Sequence, residues 1–202
     1  MKQRLRQRLA ASTSAPPTPA STGDRLAAVL IAVLEEEIDS PVLFTRRAHR
    51  MRRHAGEVSL PGGLMEDRDQ GSVVRTALRE AQEELGLQPT SLTVQAVLSP
   101  CANSSGVLVY PVLATLRRAG AWRLQCSEVE EVLELPLSII LDADGYRRET
   151  RLYQGRRKET LVVDYQGEEI WGLTARIMDS LRRHLLQNPP AGTTQGQPWP
   201  PR

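Results

Sequence analysis

Aromatic residues are scarce in this chain. They make up 4% of its 202 residues, with a single Phe. The core must therefore be built from Leu, Val, Ile and Ala, and the stacking platform that single-stranded nucleic acid requires is missing. A strong charge of either sign is also missing. Lys and Arg number 26 against 24 acids, a formal net charge of +2, which argues against a general polyanion binder. There are two cysteines, Cys101 and Cys126, with no CxxC pair and no metal-type Cys/His spacing, so idle thiols are favoured over a disulfide. No apolar run reaches ~18 residues, which predicts no membrane span. The basic start, Met1–Arg8, is not followed by a secretory apolar stretch. A cytoplasmic location is the default expectation.

The ends differ from the middle. Residues 1–23 include a Ser/Thr/Ala/Pro-rich stretch, and residues 188–202 are rich in Pro, Gly, Thr and Gln. Both are expected to be disordered tails, because they carry little apolar surface to offset ordering entropy. One folded domain is expected over 24–187, a length that buries an adequate core.

Within it, Leu26 to Leu34 is an almost unbroken apolar run, the pattern of a buried strand. A second strand is expected at Pro41 to Thr45, and others at Leu92 to Leu98 and Val107 to Leu116. Pro111 in the last of these predicts an edge or a bulge. Residues 72–85 read as a helix with Val74, Leu78, Ala81 and Leu85 as its stripe, Ser72 as N-cap and Gly86 as its stop. Leu137 to Ile140 reads as a short helix. Tyr146 to Tyr153 and Thr160 to Tyr165 read as a hairpin turning at 154–157. Trp171 to Leu186 reads as a closing helix with Leu173, Ile177, Leu181 and Leu185 inward. Strands interrupted by two long helices predict an α+β fold, a mixed sheet sandwiched between helices.

The most telling segment is Arg79-Glu80-Ala81-Gln82-Glu83-Glu84-Leu85-Gly86-Leu87. On a helix Glu80, Glu83 and Glu84 share a face, where like charges repel unless a cation offsets them. Hard divalent ions such as Mg²⁺ prefer such oxygen ligands. By itself this composition is common on solvated helix faces. Its context weighs against that reading: a Pro61-Gly62-Gly63 turn upstream, further acids at Glu66, Asp67 and Asp69, an apolar back face and a Gly stop.

These residues resemble the signature of the Nudix hydrolases, GX5EX7REUXEEXGU, where U is a bulky aliphatic. Gly63 matches the first Gly, and Arg79, Glu80, Glu83, Glu84, Gly86 and Leu87 match the second half. The X5 spacing lands on Asp69 rather than Glu, and nine residues rather than seven then precede Arg79. The resemblance implies the Nudix fold, Glu80, Glu83 and Glu84 as metal ligands for Mg²⁺ or Mn²⁺, and Arg79 as the residue that holds carboxylates in place. A general base could be a helix Glu or a Glu from a distant loop, with Glu128 as the candidate.

Upstream, residues 43–63 resemble the motif of the coenzyme A diphosphatase branch, LLTXR(S/A)X3RX3GX3FPGG. Thr45, Arg47, Ala48, Arg52, Gly56, Pro61, Gly62 and Gly63 fit at every spacing. Trp171-Gly172-Leu173-Thr174-Ala175 resembles a further feature of that branch. By this resemblance Arg47, Arg52, Gly56, Gly62 and Gly63 bind substrate. The five guanidinium groups of Arg46, Arg47, Arg50, Arg52 and Arg53 suit a pyrophosphate and a 3′-phosphate. His49 and His54 have no partner pattern for catalysis and read as exposed or structural. The implied reaction cleaves coenzyme A, or its acyl derivatives, to 4′-phosphopantetheine and adenosine 3′,5′-bisphosphate. The partner is then a small molecule, with no nucleic acid and no membrane, in a monomer or homodimer. Rival readings are a Nudix pyrophosphatase for ADP-ribose or NADH, a catalytically silent nucleotide-binding module, and an RNA-directed role, which the scarce aromatics disfavour.

Overall fold

The computed structural model describes residues 25–35, 39–51, 54–118, 120–153 and 155–187. The two expected tails and Arg52 lie outside the described residues.

Strand β1 (Leu26–Leu34) runs parallel to β7 (Leu108–Leu116) over nine matched pairs, from Leu26↔Leu108 to Leu34↔Leu116. The other pairings in this sheet are antiparallel. β2 (Val42–Arg47) pairs with β1, with β3 (Val58–Ser59) and with β8 (Val129–Leu135). β4 (Gly62–Leu64) lies against the start of β1. β5 (Leu92–Val97) and β6 (Cys101–Ala102) follow one another along β7. The sheet is therefore mixed, as expected.

Its central strands read as continuous apolar runs because both faces are covered. Ala28, Leu30, Ala32 and Leu34 of β1 and Val112, Ala114 and Leu116 of β7 meet one helix, α1 (Val73–Leu85). The alternate residues Ile31, Val33 and Leu113 face α2 (Leu137–Leu141) and α3 (Gly172–Gln187) on the other side. The single Phe, Phe44, is fully buried among the latter. On α1, Ala77 and Ala81 are wholly buried, so the helix axis can sit close to the sheet. Leu85 closes the stripe, and truncating it to Ala should cost about 2–5 kcal/mol. Ser72 Oγ accepts from the Arg75 N–H, and Gly86 ends the helix at φ +69°.

Two expectations need correction. Pro111 is not on an edge: β7 lies between β1 and β5. Its carbonyl accepts from the Leu98 N–H at 2.8 Å, so its nitrogen faces the same side, where β5 has ended and β6 has not begun. The missing N–H falls at a break in the ladder. The expected hairpin is part of a separate three-stranded sheet, β9 (Arg147–Tyr153), β10 (Arg156–Tyr165) and β11 (Glu168–Trp171). Trp171 thus ends a strand, and α3 starts one residue later. Among the described residues, no helix is long and apolar enough to cross a membrane.

Candidate active site

One guanidinium organises the acids of α1. Arg79 binds Asp69 through two parallel hydrogen bonds, Nε to Oδ1 at 2.9 Å and Nη2 to Oδ2 at 3.1 Å. Its Nη2 also donates to the Leu64 carbonyl at 3.0 Å, and its Nη1 reaches Glu83 at 3.0 Å and Glu80 at 2.8 Å. Asp69 is only 2% exposed. It also accepts from Thr76 Oγ1 at 3.0 Å and from the Glu66 N–H at 2.9 Å. Arg79 first, then these neighbours, hold its carboxyl down to about 2 despite burial. Sequence reasoning gave Asp69 no role. The short 3₁₀ turn at Asp67–Asp69 turns the loop inward, so that an Asp reaches Arg79.

Two glycines bring the 61–63 turn against the helix. A Cβ on Gly63 would sit 2.5 Å from Glu80 Cδ, so only glycine leaves room for that carboxylate. Gly62 holds φ at +155°, and a Cβ there would lie 2.6 Å from Val29 Cα. The Gly62 N–H donates to the Glu84 carboxylate.

Glu84 is 4% exposed. Burial first, then the charges of Glu80 and Glu128, push its carboxyl up to about 8, while Arg47 and the Gly62 N–H act in the opposite sense. Among the described residues, its Oε2 is buried with no hydrogen-bond partner, and so is the Nε of Arg47. Burial also raises the Glu80 carboxyl, against the pull of Arg79. An unpartnered buried carboxylate oxygen costs on the order of 1–3 kcal/mol, an expense usually tolerated for function.

Glu128 reaches this cluster from a distant part of the chain. Arg123 N–H donates to the Leu85 carbonyl and Gln125 N–H to the Glu84 carbonyl, each at 2.9 Å, which caps the end of α1. Glu128 follows in the next turn, its N–H on the Gln125 carbonyl and its own carbonyl taking the Ala48 N–H, both at 2.8 Å. Its exposed side chain is close enough to raise both Glu80 and Glu84.

The structure therefore brings together Arg47, Gly62, Gly63, Arg79, Glu80, Glu84 and Glu128. Glu83 lies at the rim, 45% exposed and paired with Arg79 and with Arg68 at 3.1 Å. Gly56 donates its N–H to the Arg47 carbonyl at 3.0 Å and holds φ at +72°, under the His49 ring. His49 is exposed and His54 pairs with Glu57, as expected of structural histidines. Arg46 does not join Arg47. It pairs with Glu168 at 2.7 Å and Glu131 at 3.3 Å, tying β2 to β11 and β8.

Among the described residues, no three His, Cys, Asp or Glu groups already surround one ion position, because Arg79 stands between Glu80 and Glu83. The donor chemistry still suits a hard divalent cation. It consists of oxygens alone, one of them on Glu84 without a partner among the described residues, with the Glu80 and Glu128 carboxylates close by.

Comparison with known proteins bears on the family and the fold. The NUDIX domain family model matches residues 24–136. The uncharacterized Nudix hydrolase NudL of Photorhabdus laumondii is 34% identical over 170 residues, 84% of this chain and 90% of that protein. Nudix hydrolase 22, chloroplastic, of Arabidopsis thaliana is 38% identical over 172 residues, 82% of this chain but 57% of that longer protein. In fold, the chain is similar to the crystal structure of DR0079 from Deinococcus radiodurans, with a TM-score of 0.50 and 13% identity over 76% of this chain and 80% of that one. On the family match and the extent of the NudL similarity, the chain belongs to the Nudix hydrolase family, enzymes that act on phosphoric anhydrides and generally use divalent cations.

Proposed function

We propose that this hydrolase cleaves the pyrophosphate of coenzyme A, or of its acyl derivatives, to 4′-phosphopantetheine and adenosine 3′,5′-bisphosphate. The observation that carries the reading is Arg47. The motif shared with the coenzyme A diphosphatase branch spans 43–63. Arg47, inside that motif, has a buried Nε without a partner among the described residues and lies beside Glu84. A phosphate oxygen is the natural acceptor for such a donor. Arg52 is assigned a second phosphate contact by the same motif.

Glu80 and Glu84, with Glu83 at the rim, are the proposed ligands of Mg²⁺ or Mn²⁺. When bound, such an ion supplies charge neutralisation at the pyrophosphate and lowers the pKa of a water. The chain's own groups do the rest. Arg47 orients the pyrophosphate, and Gly62 and Gly63 let the backbone approach it. Asp69 and Arg79 hold the Glu80 and Glu83 carboxylates in register. Glu128, exposed yet tethered next to the helix acids, is the proposed proton acceptor for the attacking water.

The test is identification of products by mass spectrometry after incubation with coenzyme A and Mg²⁺ or Mn²⁺, beside dephospho-coenzyme A, ADP-ribose and NADH. The two named products, with slower turnover of dephospho-coenzyme A, support the reading. Faster cleavage of ADP-ribose or NADH would replace it.

A further inference from the structure

A second cleft, of about 410 Å³, opens on the face of the sheet opposite α1. It lies between the β5–β6 connection, Leu161 of β10 and one stripe of α3. Its volume falls in the range of small-molecule sites. None of its lining residues belongs to the acid cluster described above.

The phase of α3 is set at its first residue. Gly172 holds φ at +68° and donates its N–H to Thr160 Oγ1 at 3.1 Å, turning the chain from β11 straight into the helix. Leu173, Ile177, Leu181 and Leu185 then face the core, and Arg176, Ser180 and Arg183 face the cleft. The branch-like segment 171–175 thus has a local consequence: it delivers Arg176 to the rim.

The charge of this wall is unbalanced. Asp179 is engaged on both oxygens, Oδ1 by Arg182 at 2.8 Å and Oδ2 by Arg183 at 3.0 Å. Arg176 has no acidic partner among the described residues. Its contact is the neutral Ala102 carbonyl, at 3.1 Å from Nη1. The two lining arginines, Arg176 and Arg183, thus stand against one acid, which Arg182 already shares from outside the cleft. The hydroxyls of Ser99 and Ser180 also make no hydrogen bond among the described residues. Leu98, Pro100 and Leu161 supply an apolar wall across from these donors.

We infer that this cleft is a second ligand site, which takes a small molecule with a terminal phosphate or carboxylate on a short apolar stem. The anionic head meets Arg176 with Ser99 and Ser180, and the stem lies on Leu98, Pro100 and Leu161.

Cys101 lines the cleft and is half-buried, whereas Cys126 is exposed in the loop that caps α1. The two thiols give a readout with an internal control. The full chain is alkylated with N-ethylmaleimide in the presence of hexyl phosphate, hexanoate or inorganic phosphate, and modification of each cysteine is followed by mass spectrometry. Hexyl phosphate or hexanoate should slow Cys101 about tenfold at saturation and leave Cys126 unchanged, with inorganic phosphate protecting more weakly. Arg176→Ala should abolish the ratio between liganded and free rates, Arg176→Lys should restore part of it, and hydrolysis of coenzyme A should stay at the wild-type rate in both.

Unchanged Cys101 reactivity with all three compounds would overturn the site. Equal protection in Arg176→Ala would overturn the anionic head, and equal protection by inorganic phosphate would overturn the stem. Lost hydrolysis in a folded Arg176→Ala protein would show that the cleft is not separate from the catalytic centre.

Discussion

The Glu80 carboxylate rests directly on the backbone of Gly63, at a distance that leaves no room for a side chain at that position. Gly63 has no strained φ, so the demand for glycine comes from the carboxylate alone. Gly63→Ala should therefore fold, with stability changed by less than about 1 kcal/mol. Displacement of Glu80 should lower kcat by about 100-fold or more. Thermal melting beside steady-state kinetics checks both halves, and wild-type kcat would show that Glu80 is free to sit elsewhere.

Glu84 combines burial, an orphaned oxygen and two acidic neighbours. Glu84→Gln keeps the shape and removes the charge. Turnover should fall by about two orders of magnitude or more, because charge stabilisation at such sites contributes several kcal/mol. Calorimetric titration with Mn²⁺ should show weaker uptake in the variant. Near-normal turnover would remove Glu84 from the catalytic set.

Asp69 gives the protein an acid-sensitive brace. Its folded pKa, about 2, lies below the ordinary 3.8. A depressed carboxylate contributes stability above its unfolded pKa, and that contribution is lost as pH falls through the folded value. The window is therefore about pH 4 down to pH 2, and the amount is about 2 kcal/mol. Asp69→Asn should flatten this part of the stability–pH curve in urea melts. It should also lower activity, since Arg79 then loses its two-point anchor.

Arg46 and Arg47 should separate cleanly. Arg46→Met leaves Glu168 without its partner and should destabilise the fold by about 1–2 kcal/mol, with KM for coenzyme A near wild type. Arg47→Ala should do the reverse, raising KM or lowering kcat/KM by about 10–100-fold with little change in melting temperature. Arg47→Lys should recover only part of that loss, because an ammonium cannot make the paired contact. Denaturant melts and Michaelis curves on the three variants decide the matter.

What was legible in the chain follows from the range of the physics. β1 and α1 were readable because their cues are local. Nine consecutive apolar residues need two covered faces, and Ser72 and Gly86 act on groups within one turn of themselves. β3, β4, β6 and β11 span only two to four residues each, too short for a hydrophobic period to mark them. Pro111 misled because the edge rule assumes an unbroken neighbouring strand.

At the site, the spacing of Glu80 and Glu84 and the Pro61-Gly62-Gly63 turn were sufficient to place acids and turn together. Of the arginines clustered at 46–53, Arg46 is taken up by Glu168 and Glu131. Neighbours on a strand point to opposite faces, so Arg46 and Arg47 could not both serve one ligand. The role of Asp69 was hidden by the two-residue insertion, which only a folded turn converts into a contact.

The strap formed by Arg123 and Gln125 has a dynamic corollary. Through it, Glu128 hangs from the main-chain oxygen of one of the acids it confronts. Excursions of that remote segment are thereby slaved to the last turn of the helix. For the segment to swing away it must unzip these two amide links as well as the Ala48 N–H bond to the Glu128 carbonyl, so withdrawal of the remote carboxylate is coupled to fraying of the helix end and to release from β2.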